Sequence, residues 1–186
     1  MHFDQHIENK IYTKERIDAE EFDNCVFLKC DFSNALFREC QFCDCTFIDC
    51  NLSMTKFPHS TLSNVRFETC KILGVYFNHC NDFIFEVRFT NSILDYCSFE
   101  KRKMPKTLFS KCSLKGVDFG IANLKQSVFS NCDLADAIFY NTNLLGADFR
   151  TSYNYTINLN ENPVQKALFS KDGLDGLLSN YNIIIE

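Results

Sequence analysis

The sequence predicts an all-β fold, a four-sided parallel solenoid followed by a short C-terminal α-helix and strand. Large apolar residues recur every five positions from Phe22 to Phe149, with one slip. Taken at every twentieth position they sort into columns of nearly uniform type, and small residues stand two positions before most of them.

The first run is Phe22, Phe27, Phe32, Phe37, Phe42, Phe47, Leu52, Phe57, Leu62, Phe67, Ile72 and Phe77, and the series resumes at Ile84 and Phe89 after a two-residue slip. A step of five suits no single regular element. At about 100° per residue, fifth residues on an α-helix rotate by about 140° and share no face. On a continuous strand an odd step reverses the side chain each time. The chain must therefore turn a corner once per repeat, pointing the central residue of each short side inward, which makes a solenoid with one shared core.

The columns count the sides. Phe27, Phe47, Phe67, Phe89, Phe109, Phe129 and Phe149 form one column, and Phe37, Phe57, Phe77, Phe99, Phe119 and Phe139 form another. Between them run Phe32, Leu52, Ile72, Leu94, Leu114 and Leu134, and Phe22, Phe42, Leu62, Ile84, Met104, Leu124 and Leu144. A three-sided coil would mix Phe with Leu in every column, so the cross-section is square. The position two before each central residue also faces inward and holds Cys, Ala, Ser, Thr or Val, which fit a corner that larger residues would overfill. About seven such coils at ~4.8 Å spacing give a rod on the order of 30–35 Å long.

The repeats are expected to span 17–161, after a lead-in at 1–16 and before a C-terminal element at 162–186. The break at 78–85 projects a polar tip and is either a tolerated insertion or a recognition loop, with Asn78, His79, Asn81, Asp82 and Phe83 as the candidate residues, because loops on rigid scaffolds often carry binding function. Lys101, Arg102, Lys103 and Lys106 form the densest basic patch, a solvated face or a partner contact. Near the end, Ser170 suits an N-cap, Leu174, Leu177 and Leu178 suit one helical face, and Ile183, Ile184 and Ile185 suit a strand. A solenoid end exposes core and edge. These six residues can cover it alone or pair two rods, and their number favours a dimer interface.

The stretch CQFCDC has the outline of a metal site, but the register turns Cys40 and Cys45 inward from adjacent sides and Cys43 outward. The thiols are read as small packing residues, with no metal and no cofactor expected. The N-terminus lacks the apolar run of a signal peptide and no stretch suits a membrane span, so a cytoplasmic location with reduced thiols is expected. The chain carries 19 Lys and Arg against 24 Asp and Glu, net −5, which disfavours direct nucleic-acid binding. No nucleophile, general-base or phosphate-binding motif is present and the four histidines are scattered, so no catalytic residue is assigned and no enzyme is expected.

The units "IANLKQ", "CDLADA", "TNLLGADF" and "CDFSNALF" resemble the A(D/N)LXX consensus of the pentapeptide-repeat family. That resemblance implies a right-handed quadrilateral β-helix. The stretch "VRFETCKILGVYF" and the ending "KALFSKDGLDGLLSNYNIIIE" are similar to the members that protect DNA gyrase, the albicidin-immunity and Qnr-type quinolone-resistance proteins. The resemblance implies a head-to-head homodimer through the C-terminus and an acidic rod that mimics duplex DNA on gyrase or topoisomerase IV. Asp31, Asp44, Asp49, Asp118, Asp133, Asp136 and Asp148 would then stand in for phosphates. The alternative is an interaction scaffold for an unrelated protein partner.

Overall fold

Coils of twenty residues lie in register along a single stack. In the computed structural model, which describes residues 1–181 and 183, parallel pairing joins Phe22 to Phe42 and Phe42 to Leu62 on one side. Phe27 joins Phe47 and Phe47 joins Phe67 on the next. Each side is short, as at Val26–Leu28, with a buried centre and half-buried flanks.

The corner is made by the residue two places after each central one, which adopts left-handed backbone: Asn24 at φ 52°, Asn34 at 59°, Asp44 and Asp49 at 53°. Asn and Asp tolerate this region because their short polar side chains bond locally. Thr69 at φ 57° and Ile121 at 60° are β-branched and held there against their preference. Their neighbouring coils supply the constraint, since Thr69 N–H donates to Thr90 O and Ile121 N–H to Tyr140 O.

Inside, the Phe columns stack nearly parallel, Phe27 on Phe47 at 4.6 Å and Phe109 on Phe129 at 5.0 Å between centroids. Between columns they meet edge-on, Phe109 against Phe119 at 5.7 Å and 79°. Both arrangements suit the ring quadrupole. The small corner residues pack and also form hydrogen bonds. Cys132 Sγ donates to Phe109 O at 3.5 Å, while Cys132 N–H donates to Ser152 Oγ at 3.1 Å and Ser152 Oγ to Phe129 O at 2.8 Å. A hydroxyl or thiol here joins successive coils and satisfies buried backbone groups that an alanine would leave unpaired. The reading of the thiols as packing residues is thus extended.

Three details differ from the sequence reading. The boundaries at 17 and 161 are too narrow: pairing begins at His2 with Phe22, and Leu168 still pairs with Asp148 while Phe169 stacks on Phe149 at 5.3 Å. These end coils carry polar residues at the small position, including Gln5 and Lys10 beside open solvent and Asn162 over Phe139 O, so their apolar signature is diluted. Second, Phe85 and not Ile84 returns to the core; Phe85 pairs with Leu62 and is buried, while Ile84 is exposed. After the break the chain runs straight through Phe85–Thr90 with no left-handed corner, so Phe85, Val87 and Phe89 alternate inward. Third, Arg102 is not part of the outer basic patch; it is only 2 % exposed.

Candidate partner-binding surfaces

Arg102 occupies a small inward position, two before Met104, and the break at 78–85 encloses it. Its guanidinium Nε donates to Phe77 O at 2.9 Å, both terminal nitrogens reach Asn81 O at 3.0 Å, and Nη2 also bonds Cys80 O. Nη1 pairs with Asp82 at 2.8 Å, and the guanidinium lies 4.8 Å from the Phe85 ring centroid. The fork geometry of Arg suits a set of converging carbonyls. The break is therefore a clasped loop: Phe77–His79 forms a single 3-10 turn, Asn81 caps the Phe83 N–H at 2.9 Å, and Phe83 projects 95 % exposed. His79 stacks on Tyr76 at 5.7 Å. Asn78 is half-buried and its Oδ1 has no partner among the described residues.

The seven candidate acids are not brought together. Asp31, Asp118, Asp133 and Asp148 stand just before a central residue, and each carboxylate accepts an N–H two residues on, from Ser33, Gly120, Ala135 and Arg150 at 2.8 to 3.2 Å. These are Asx turns that brace the coil. Asp133 also meets Lys115 at 3.2 Å, and donors from Asn154, Ala135 and Lys115 outweigh the upward push of partial burial, holding its carboxyl below the usual range. Asp148 is lowered chiefly by hydrogen bonding to Arg150 at 2.8 Å. Asp44, Asp49 and Asp136 are left-handed corner residues at φ 53°, 53° and 58°, and Asp44 accepts from Asn64 Nδ2 at 2.5 Å.

Around the rod, Asp31 and Asp133 share one side, Asp118 and Asp148 lie on two others, and the corner acids lie on three different edges. Between Asp31 and Asp133 the ladder passes Asn51, Lys71, Ile93 and Ser113. The acids wrap the rod instead of lining one face.

At the C-terminal end, Leu174–Leu178 forms a short α-helix set across the last coil. Ile157 N–H donates to Gly176 O at 3.0 Å, and a Cβ on Gly176 would overlap the Tyr155 carbonyl, so glycine permits the close approach. Leu177 is buried and belongs to the same hydrophobic core as Tyr155 and Ile157. Leu178 is half-buried, and Leu174 and Ile183 are exposed. Ile184 and Ile185 lie outside the described residues. No described helix is long and apolar enough to cross a membrane. Of the cysteines only Cys43 is partly exposed; the other ten are buried.

A family model described as a pentapeptide repeat region matches residues 20–99, and a second, pentapeptide repeats in eight copies, matches 122–152. The chain belongs to the pentapeptide-repeat proteins. Among curated proteins no sequence matches. Among solved structures, this pentapeptide-repeat chain is similar to a trypsin-treated variant of QnrB1, described as a plasmid-mediated fluoroquinolone resistance protein, at 20 % identity and a TM-score of 0.64, covering 100 % of this chain and 99 % of that one. A second trypsin-treated variant gives 20 % identity, a TM-score of 0.66 and 99 % and 97 % coverage. Full-length QnrB1 gives 20 %, 0.63, and 98 % and 99 %. At that identity the likeness is one of fold.

Arg102, assigned by the sequence to the outer basic patch, is instead the buried anchor of the loop. Its signal was available: the register that turned Cys40 and Cys45 inward also turns Arg102 inward.

Proposed function

We propose that this protein is a non-enzymatic binding rod that engages a type II topoisomerase, DNA gyrase or topoisomerase IV, and protects it from inhibitors such as quinolones or albicidin-like toxins. The observation that carries this reading is end-to-end correspondence with a fluoroquinolone resistance protein, including both termini of the rod. The expected contact is mimicry of duplex DNA by the exposed acids, with Asp49 and Asp136 the least engaged of the seven. Dimerisation through the C-terminus belongs to the same reading, and Leu174 and Ile183 are the exposed apolar residues that would serve it.

The test is a titration of purified protein into a gyrase supercoiling assay, with and without a quinolone. Inhibition at high concentration, or rescue of supercoiling from the drug, supports the reading; neither effect over a wide range overturns it. For pairing, light scattering is expected to give twice the chain mass for the parent and a single mass for Leu174→Asp. A monomeric parent, or a dimeric variant, argues against it. Leu177→Asp is a poorer probe because it opens the core.

A second reading, a scaffold for an unrelated protein partner, is favoured by the distribution of the acids. A rod that wraps its carboxylates around three sides and interposes Lys71 does not present one continuous anionic stripe.

A further inference from the structure

We propose that the cleft beside the clasped loop docks an acidic segment of a partner protein that carries one large apolar side chain. The cleft, about 410 Å³, runs between the wall 83–88 and the side 103–107. Arg88, Lys103 and Lys106 line it, and none of these cations takes part in an ion pair among the described residues. One carboxylate, Glu86, shares the wall. In the coil below, Arg66 stands directly in register with Arg88. Like charges on adjacent rungs repel, and an anion seated in the cleft against Arg88 and the two lysines would relieve part of that cost.

The apolar half of the site is equally specific. Phe83 is 95 % exposed and, with Ile84 and Pro105, forms the lip of the same cleft. An aromatic at a loop tip is ordinarily free to reorient, and ordering it on binding costs affinity. Here Arg102 holds the Asn81 carbonyl and the Asn81 side chain holds the Phe83 N–H, so the loop backbone is fixed beforehand. Cations beside an exposed aromatic carried on a braced loop match a ligand with carboxylates next to a Phe- or Leu-like group. A nucleic-acid backbone fits poorly: it would meet Glu86, an apolar lip and a chain of net −5. This inference does not rest on the topoisomerase reading, since its contacts carry the opposite charge, although Arg88 shares a ladder with Asp148.

The experiment pans a display library of short random peptides on the full-length protein, then measures the enriched peptides by fluorescence anisotropy. Enriched sequences are expected to pair Asp or Glu with an aromatic or Leu. Lys103→Glu with Lys106→Glu, and separately Phe83→Ala, are each expected to weaken binding about tenfold or more. All three positions are exposed, so the fold is expected to survive, and the melting temperature checks it. Lys125→Glu, outside the cleft, is the charge control. Enrichment of peptides without carboxylates, no enrichment, an equal loss in Lys125→Glu, or equal competition by a short DNA duplex would each overturn the proposal.

Discussion

The coils from Phe109 to Phe139 and those from Phe77 to Arg102 use the same register for opposite ends. In the first, the small inward positions hold Cys112, Val117, Ala122, Ser127, Cys132 and Ala137, and neutral donors at Ser127 and Cys132 tie coil to coil. In the second, one such position holds Arg102, and a loop bends around it to supply carbonyls. The difference teaches that the corner position takes a small apolar residue or a small donor, and that a large donor placed there must be given partners of its own. Where the residue is too large and too polar for the regular corner, the wall opens until its donors are satisfied. A buried guanidinium without those carbonyls would be prohibitively costly.

The comparison can be broken hardest on the regular side. Phe109→Ala removes a ring stacked above and below and is expected to cost roughly 3–5 kcal/mol in urea unfolding, since a rigid stack cannot collapse into the cavity. A loss below about 1 kcal/mol would mean that the column does not act as a continuous core. On the interrupted side, Arg102→Met keeps the stem but strands the Cys80 carbonyl and leaves that of Phe77 with only the Cys80 N–H, with an expected loss of about 2–3 kcal/mol. Hydrogen exchange should rise sharply at residues 78–85 and little at 109–139. By contrast Asp82→Asn is expected to cost under about 1 kcal/mol, because the Asp82 side chain is 92 % exposed and its attraction to Arg102 is screened. If the two substitutions cost the same, the ion pair and not the carbonyls holds the loop.

Subtler still is the donor role of the corner thiols. Cys132→Ser is expected to keep the bond to Phe109 O and to be near-neutral, whereas Cys132→Ala loses about 1 kcal/mol. Equal effects would return the thiol to a purely packing role. Burial pushes Cys45, Cys80 and Cys97 up to about 12. An unfolded thiol ionises near ~8.5, so the unfolded chain releases protons first. The stability from keeping these thiols neutral is full below that value and is lost as pH rises toward 12. Urea midpoints should therefore fall on the alkaline side, less steeply in Cys→Ser variants. Native maleimide labelling should reach Cys43 alone. It should be slow at neutral pH, since partial burial first, and then Asp23, Asp44 and Glu21, raise that thiol.

Much of the fold was legible because a solenoid repeats one decision. Each of the residues from Phe22 to Phe77 landed inward, and the corner thiols of CQFCDC separated as the register required. The return point after the break was less legible. Ile84 and Phe85 are both large and apolar, and the choice between them depends on whether the chain spends a residue on a left-handed corner before Phe89; it does not, and Phe85 enters. The candidate acids were found as residues but not as a surface. Their spacing along the chain conceals that four brace their own turns and that they lie on separate sides and edges.

Sequence alone determined the period, the number of sides and the inward identity of nearly every core residue, because a coil of twenty allows each position only one environment. Tertiary structure alone decided the contacts made between distant coils. Arg102 reaches Phe77 across 25 residues, and the C-terminal helix is turned back so that the Gly176 carbonyl takes the Ile157 N–H while Leu177 joins the buried core. Such contacts depend on which buried groups would otherwise lack a partner, and that is settled only when the coils are stacked.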